Sequence, residues 1–343
     1  MQTPKDIKDF TEQALIEEFK KRGIEPYRAS QILRWIYHDR ATSFEQMTNL
    51  PLSLRREFAD EFVVSRLRID KMERGNDGTC KYLFGLEDGI AVESVLIPEK
   101  GHWTLCVSSQ AGCSQGCIFC LTGKGGLKRN LTCAEIVGQV WEVLGAHDFD
   151  LPLRNIVFMG MGEPLANYSN LIDALKIIMA DYGLNFSRRK VTVSTAGLVP
   201  RIAQLGKDIT VNLAISLNAV DNLTRDYLMP INKKYPIESL IDACKEFTLP
   251  RRRMITFEYV LLAGINDSPS DAFRLAKLLR PLRAKINLIP FNPFPASEFK
   301  RPHEDDVLTF QRILIDKYYT AMIRYSKGGD ISAACGQLSQ KIV

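Results

Sequence analysis

From residue 132 onward the chain alternates helical and strand patterns, which narrows its fold more than any other feature. A helical stretch near 132–146 precedes the apolar strand "NIVFMG", and helix "YSNLIDALKIIMADYG" precedes strand "KVTVSTAG". After a short helix come strand "VNLAISLNA", helix "PIESLIDACKEF", strand "MITFEYVLLAG", helix "SPSDAFRLAKLLRPLR" and strand "KINLIPFNP". A last helix from residue 304 and strand "YTAMIRYS" follow. Repeated strand–helix units force parallel strands with crossover helices, and about six of them predict a full or partial (βα)6-type barrel, with its working end at the C-terminal ends of the strands. The expected class is α/β.

Two smaller regions come first. Residues 1–65 carry apolar positions at helical spacing, such as Leu15, Ile16 and Phe19 before Gly23, then Ile32, Leu33, Ile36 and Tyr37. They predict a helical accessory domain for docking or RNA recruitment. Residues 66–110 switch to period-two alternation broken by "GNDGT", which predicts a β meander leading into a core at 111–343.

With 343 residues and 45% hydrophobic content the chain can fill a sizeable core, so disorder is not expected. No apolar run approaches the roughly 20 residues that cross a bilayer, and "MQTPKDIKDFTEQ" lacks the order of a signal peptide, so a cytoplasmic protein without membrane association is expected. The net charge of +5 permits a nucleic-acid partner without requiring one. Candidate phosphate contacts are Lys124, Lys128, Arg129, Arg188 to Lys190, Lys233, Lys234 and Arg251 to Arg253.

Eight cysteines are too few for a disulfide scaffold of this length, but four fall in "TLCVSSQAGCSQGCIFC". Cys113, Cys117 and Cys120 put three soft thiolates on one loop. A structural zinc takes four protein ligands, for which His102, Cys106 or Cys133 is available, none at paired spacing. A [4Fe-4S] cluster held by three thiolates keeps one iron open for a further ligand. Cysteines that only pack are the third reading.

The segment "CSQGCIFC" resembles the CxxxCxxC signature of radical S-adenosylmethionine (SAM) enzymes. The resemblance implies that Cys113, Cys117 and Cys120 hold the cluster and that its open iron chelates SAM. "MGMGEPLAN" resembles the superfamily's GGE-type motif, with Met161 in place of the first glycine, and puts Gly162 and Glu163 at the SAM ammonium group. Ser194, Ser216, Leu217, Asn218 and Asn292, all at ends of expected strands, complete the cofactor-binding set.

The likeness narrows to the adenine methyltransferases of 23S ribosomal RNA and transfer RNA, the RlmN/Cfr family. It runs through "RASQILRWIY", "AVESVLIP", "GLKRNLTCAEIVGQV", "VTVSTAGLVPRI", "RRRMITFEYVLLAGIND" and "GGDISAACGQL". Some members have His where this chain has Asn218.

The resemblance implies a route in which Cys335 takes a methyl group from one SAM and a second SAM starts radical addition of that carbon to adenine, using two SAM per turnover. Cys106 then resolves the covalent protein–RNA intermediate by forming a disulfide with Cys335, and Glu93 accepts the ring proton. The implied substrates are 23S rRNA and tRNA, methylated at adenine C2, with C8 methylation as the alternative. A flavodoxin or ferredoxin with its reductase is the implied electron donor, and the protein is expected to be a monomer. The reading from another class is a non-catalytic zinc- or iron–sulfur-containing RNA-binding protein.

Overall fold

A computed structural model describes residues 4–295 and 297–339. Its centre is a ten-stranded sheet. From one edge the order is Thr320–Ile323, Ala284–Pro290, Ile255–Leu261, Asn212–Ser216, Val191–Thr195, Leu153–Phe158 and His102–Cys106, all parallel. The sheet continues antiparallel through Ala91–Glu99, Cys80–Gly85 and Arg68–Arg74. His102–Cys106 is therefore both the end of the meander and the first parallel strand.

The two edge strands do not pair, so the barrel is partial, and loops rather than strand hydrogen bonds close the gap. Beyond the last strand, Asp330 Oδ2 accepts from Asn76 N at 2.8 Å and Gly328 N donates to Asp77 Oδ2 at 2.8 Å. Lys327 Nζ donates to the carbonyl of Pro98. These contacts bring the C-terminal segment against the opposite edge of the sheet.

Alternation along each strand sorts the side chains. In Ile255–Leu261, Phe257 and Tyr259 are fully buried, and Tyr259 packs its ring 5.5 Å from Phe310 on the outer helix Glu304–Asp316. Thr256, Glu258 and Val260 point the other way, into the barrel. Helix starts follow local capping: Thr132 and Glu135 form a capping box on Cys133–Ala146, as Ser268 and Asp271 do on Pro269–Leu279.

The N-terminal helices Glu12–Lys21, Tyr27–Tyr37 and Leu52–Glu61 bury Phe19 and Phe58, stacked at 5.1 Å. They dock on Cys133–Ala146 through Trp141, whose Nε1 donates to the carbonyl of Ile36 at 2.9 Å. The Arg40 guanidinium lies 3.9 Å above the Trp141 ring. Among the described residues no helix is long and apolar enough to cross a membrane.

Candidate active site

The three motif cysteines follow the short strand Gln110–Gly112, which pairs antiparallel with Leu127–Asn130 and clamps the loop at its base. Cys113 N donates to Gly126 O at 3.0 Å, Cys120 N to Cys117 O at 3.1 Å and Ile118 N to Leu228 O at 3.1 Å. Gly123 lets the loop close tightly here: a Cβ would lie 3.0 Å from Cys117 O and push the two segments apart by a few tenths of an ångström. Burial raises the Cys117 thiol, and Cys120, Cys113 and Glu163 raise it further. Cys113 is pushed up to about 12 by burial, opposed by a hydrogen bond from Gln115 N.

Among the described residues no three His, Cys, Asp or Glu side chains stand together as a ready single-ion site. The donor set nevertheless fits an iron–sulfur cluster: three thiols within mutual electrostatic reach on a glycine-bearing loop, beside a carboxylate. Two candidate fourth zinc ligands are directed elsewhere. His102 begins its strand, at the end opposite Cys106, and Nε2 pairs with Asn155 Nδ2 at 2.8 Å. Cys133 is buried near Asp9 and Asp173.

Around this loop the ends of the parallel strands gather the other expected residues. Gly162 has φ +102°, and a Cβ there would lie 2.5 Å from Gln110 Cβ. Met161 is buried, its N donates to Ser108 Oγ at 2.8 Å and its Sδ accepts from Glu93 N at 3.4 Å, so it ties this turn to the Ala91–Glu99 strand. Glu163 Oε1 accepts from Leu165 N at 3.0 Å and Oε2 from Ala196 N at 2.6 Å. Burial outweighs these bonds and lifts its carboxyl to about 6.

Ser194 is the penultimate residue of the third parallel strand and Ser216 the last of the fourth. Asn218 takes φ +59°; its Oδ1 accepts from Val260 N at 2.8 Å and its Nδ2 meets Met229 Sδ at 3.2 Å. Its amide is thus engaged within the protein and ties two strand ends together.

The C-terminal loop lies against the cysteine loop. Leu121 N donates to Gly336 O at 2.8 Å and Thr122 Oγ1 to Leu338 O at 2.7 Å. Asn292 Nδ2 donates to Ser326 Oγ at 2.7 Å and to Cys335 O at 3.2 Å, so this amide holds the Cys335 loop. Cys335 remains accessible to solvent but sits in a recess walled by protein, and that desolvation pushes its thiol up to about 11, with Glu258 and Cys120 adding to the rise. Burial likewise raises Cys106, and Cys335 is the next cause. The structure therefore brings these two thiols within each other's field.

Glu93 lies 6% exposed on its strand, 3.2 Å from Lys81 Nζ, and its Oε2 accepts from Ser339 N at 2.8 Å. Burial nevertheless raises its carboxyl, and Ser339 and Lys81 pull it back only in part. The groups with no motif partner, Cys80 and Cys244, are buried.

The expected basic groups divide. Arg188 to Lys190 and Arg251 to Arg253 precede parallel strands, at the end of the barrel opposite the cysteine loop. Arg129 is engaged by Glu135 at 2.7 Å and by Asp88. Lys124, Lys128, Lys233 and Lys234 remain on the side of the site, where Pro230 approaches Gly116.

Two groups escaped sequence reasoning. Arg225 is fully buried, with Nε donating to Leu217 O at 3.0 Å, Nη1 to Asn232 Oδ1 at 3.0 Å, and Nη2 to Ala196 O at 2.6 Å and Ser216 O at 3.1 Å. One guanidinium thus fixes the strand ends that carry Ser194 to Asn218. Burial lowers it to about 10, with Cys117 opposing. Replacing Arg225 with leucine is expected to cost about 3–5 kcal/mol, because several carbonyls lose their donor in a dry interior. Chemical denaturation would measure it, and a loss below about 1 kcal/mol would mean that water replaces the guanidinium. The second group is Glu258, on the inward face of Ile255–Leu261.

A partial parallel barrel with three loop thiols at its C-terminal mouth defines a radical SAM enzyme, and residues 107–276 match the Radical SAM superfamily. Residues 5–64 match the ribosomal RNA large subunit methyltransferase N-terminal domain. The chain is similar to the dual-specificity RNA methyltransferase RlmN of Desulfosudis oleivorans, 55% identical over 99% of this chain and 92% of that protein. The RlmN of Geobacter sulfurreducens is 54% identical over 100% of this chain and 94% of that one. A radical SAM methyltransferase from Sphaerobacter thermophilus superposes with a TM-score of 0.90 at 43% identity, covering 98% of this chain and 100% of that one. The chain belongs to the RlmN family of dual-specificity RNA methyltransferases.

Proposed function

We propose that this enzyme methylates C2 of adenine in 23S ribosomal RNA and in transfer RNA, with Cys335 as the methyl carrier. The observation that supports this most is the approach of Cys335 and Cys106 at the barrel mouth, beside the Cys113–Cys120 loop. Adenine C2 is not nucleophilic, so a methyl group delivered as an electrophile does not attach there. A carbon carried on a thiol and added as a radical does.

Cys113, Cys117 and Cys120 would hold a [4Fe-4S] cluster. Gly162, Glu163, Ser194, Ser216, Leu217, Asn218 and Asn292 would form the SAM pocket, which serves two SAM per turnover. When bound, the cluster supplies the electron that cleaves SAM reductively and starts the radical chemistry. A flavodoxin or ferredoxin with its reductase is the donor, and the enzyme works as a monomer.

The chain's own residues do the rest. Cys335 bears the transferred carbon and becomes bonded to the adenine ring. Glu93, whose carboxyl burial raises above the ordinary carboxylate range, accepts the ring proton once its bond from Ser339 N opens. Cys106 attacks the Cys335 sulfur as the sulfur–carbon bond breaks; that bond's pair stays on the carbon, which takes up a proton to become the RNA methyl group, and the two cysteines are left as a disulfide. The N-terminal helices recruit the RNA, and Lys124, Lys128, Lys233 and Lys234 meet its phosphates. A base-reading barrel needs its adenine turned out of the RNA fold.

The test is anaerobic purification with iron and sulfide counts, followed by incubation with methyl-labelled SAM, reductant and an rRNA fragment or tRNA. A brown protein and 2-methyladenosine are the expected result. Product solely at C8 overturns the regiochemistry, and a colourless zinc protein leaving the RNA unlabelled overturns the cluster and the reaction together.

A further inference from the structure

The barrel interior holds a carboxylate that the reaction above does not use. Strand pairing places Ser216, Glu258 and Asn287 side by side on the inward face, in register across three parallel strands. Glu258 is 7% exposed and Asn287 likewise. Asn287 Nδ2 donates to Glu258 Oε1 at 2.9 Å. The second carboxylate oxygen has no hydrogen-bond donor among the described residues, and neither does the buried Asn287 Oδ1 have one.

A carboxylate with one oxygen anchored by Asn287 Nδ2 and the other unclaimed is placed to take up a proton. Cys335 is the neighbouring group with a proton to give, and of the charged groups acting on its thiol Glu258 acts most strongly. Asn292, two residues beyond the Ala284–Pro290 strand that carries Asn287, holds the Cys335 carbonyl and so keeps that loop at the C-terminal end of this strand.

We propose that Glu258, seated on Asn287, takes the proton from the Cys335 thiol when that thiol accepts its methyl group. The proposal rests on the reading of Cys335 as methyl carrier. The S–H bond of Cys335 breaks and its proton moves to Glu258 Oε2. The freed sulfur pair forms the S–CH3 bond as the methyl's bond to the sulfonium breaks. That bond's electrons stay on the departing sulfur, leaving S-adenosylhomocysteine, and no electron enters or leaves. Glu93, held by Lys81 and Ser339 N on the Ala91–Glu99 strand, is the acceptor of the ring proton instead. Two carboxylates thus serve two proton transfers.

The groups facing Glu258 are Ser216 from one adjacent strand, Asn287 and Lys285 from the other, Arg324 beyond the last strand and Cys335 from the loop. Burial lifts Glu258 to about 7, with Asn287, Arg324 and Lys285 opposing. Below that pH the base is already protonated, so methyl loading of Cys335 rises with pH through about 7.

The experiment uses full-length reconstituted protein, methyl-labelled SAM and mass spectrometry of the Cys335 peptide from about pH 5.5 to 8.5. Wild type is expected to load with an inflection near neutrality. Glu258→Gln is expected to load at least about 100-fold more slowly and without the inflection. A second readout needs neither SAM nor reductant: iodoacetamide alkylation of Cys335. Removing the neighbouring negative charge lowers the thiol pKa, so Glu258→Gln is expected to alkylate several-fold faster while it methylates more slowly. A group that acts only through its charge would move both rates upward.

Equal loading of wild type and Glu258→Gln overturns the proposal and leaves the methyl-carrier reading intact. Failure of wild type to load Cys335 overturns that reading itself. Buried Cys133 and Cys244 report on folding. If they become reactive in the Gln variant, Glu258→Asp decides: a kept inflection supports the proton transfer, and a lost one overturns it.

Discussion

Replacing Cys335 with alanine is expected to reduce RNA methylation by on the order of 10^4-fold or more while leaving the fold and the iron content unchanged. The thiol is accessible, and its loop is held by main-chain atoms: Gly336 O to Leu121 N, Leu338 O to Thr122 Oγ1, and Cys335 O itself to Asn292. Alanine preserves each of these bonds, so stability should change by less than about 0.5 kcal/mol. The measurement is transfer of labelled methyl to RNA beside a thermal melt. Activity within tenfold of wild type would show that the methyl group reaches adenine without passing through this sulfur.

The second large effect concerns Cys106. In Cys106→Ala the first half of the cycle remains possible, because Cys335, its loop and the three motif cysteines are untouched. Release is not, since the attacking thiol has gone. A covalent complex joining Cys335 to the RNA is expected to accumulate to about one per enzyme, visible with labelled RNA on a denaturing gel, while turnover stops. Absence of any such adduct would falsify the resolving role. The Cys335→Ala/Cys106→Ala double variant is expected to form none, which places the link on Cys335. Both variants report on a pair whose mutual influence is already visible in the raised Cys106 thiol.

How much of this was legible beforehand depended on range. The barrel could be read from alternation because each strand states its own period, and Phe257 and Tyr259 against Thr256 and Glu258 show the outward and inward rows. The clamp Gln110–Gly112 with Leu127–Asn130 could not, since segments this short carry too little periodicity to separate from a loop. Arg225 was invisible for another reason. Its partners are mainly carbonyls of Leu217, Ala196 and Ser216, and a main-chain acceptor leaves no mark on sequence. Asn218 and Asn292 were legible as polar groups at strand ends, but the protein atoms that their amides bind were not.

What the sequence by itself determined was local: the alternation that makes parallel strands, the spacing that puts Cys113, Cys117 and Cys120 on one loop, and the ordered motifs that carry the family resemblance. Those features lie within a few turns of chain, where steric and hydrogen-bonding preferences act directly. The tertiary structure alone decided that the edges of the sheet do not pair and that Asp330 and Gly328 bridge them. It alone decided that Cys335 comes within electrostatic reach of Cys106 and Glu258, and that Glu258 and Asn287 share one row. Such juxtapositions join positions far apart in the chain, and they follow from strand register and barrel curvature, which set the burial and the fields at each site.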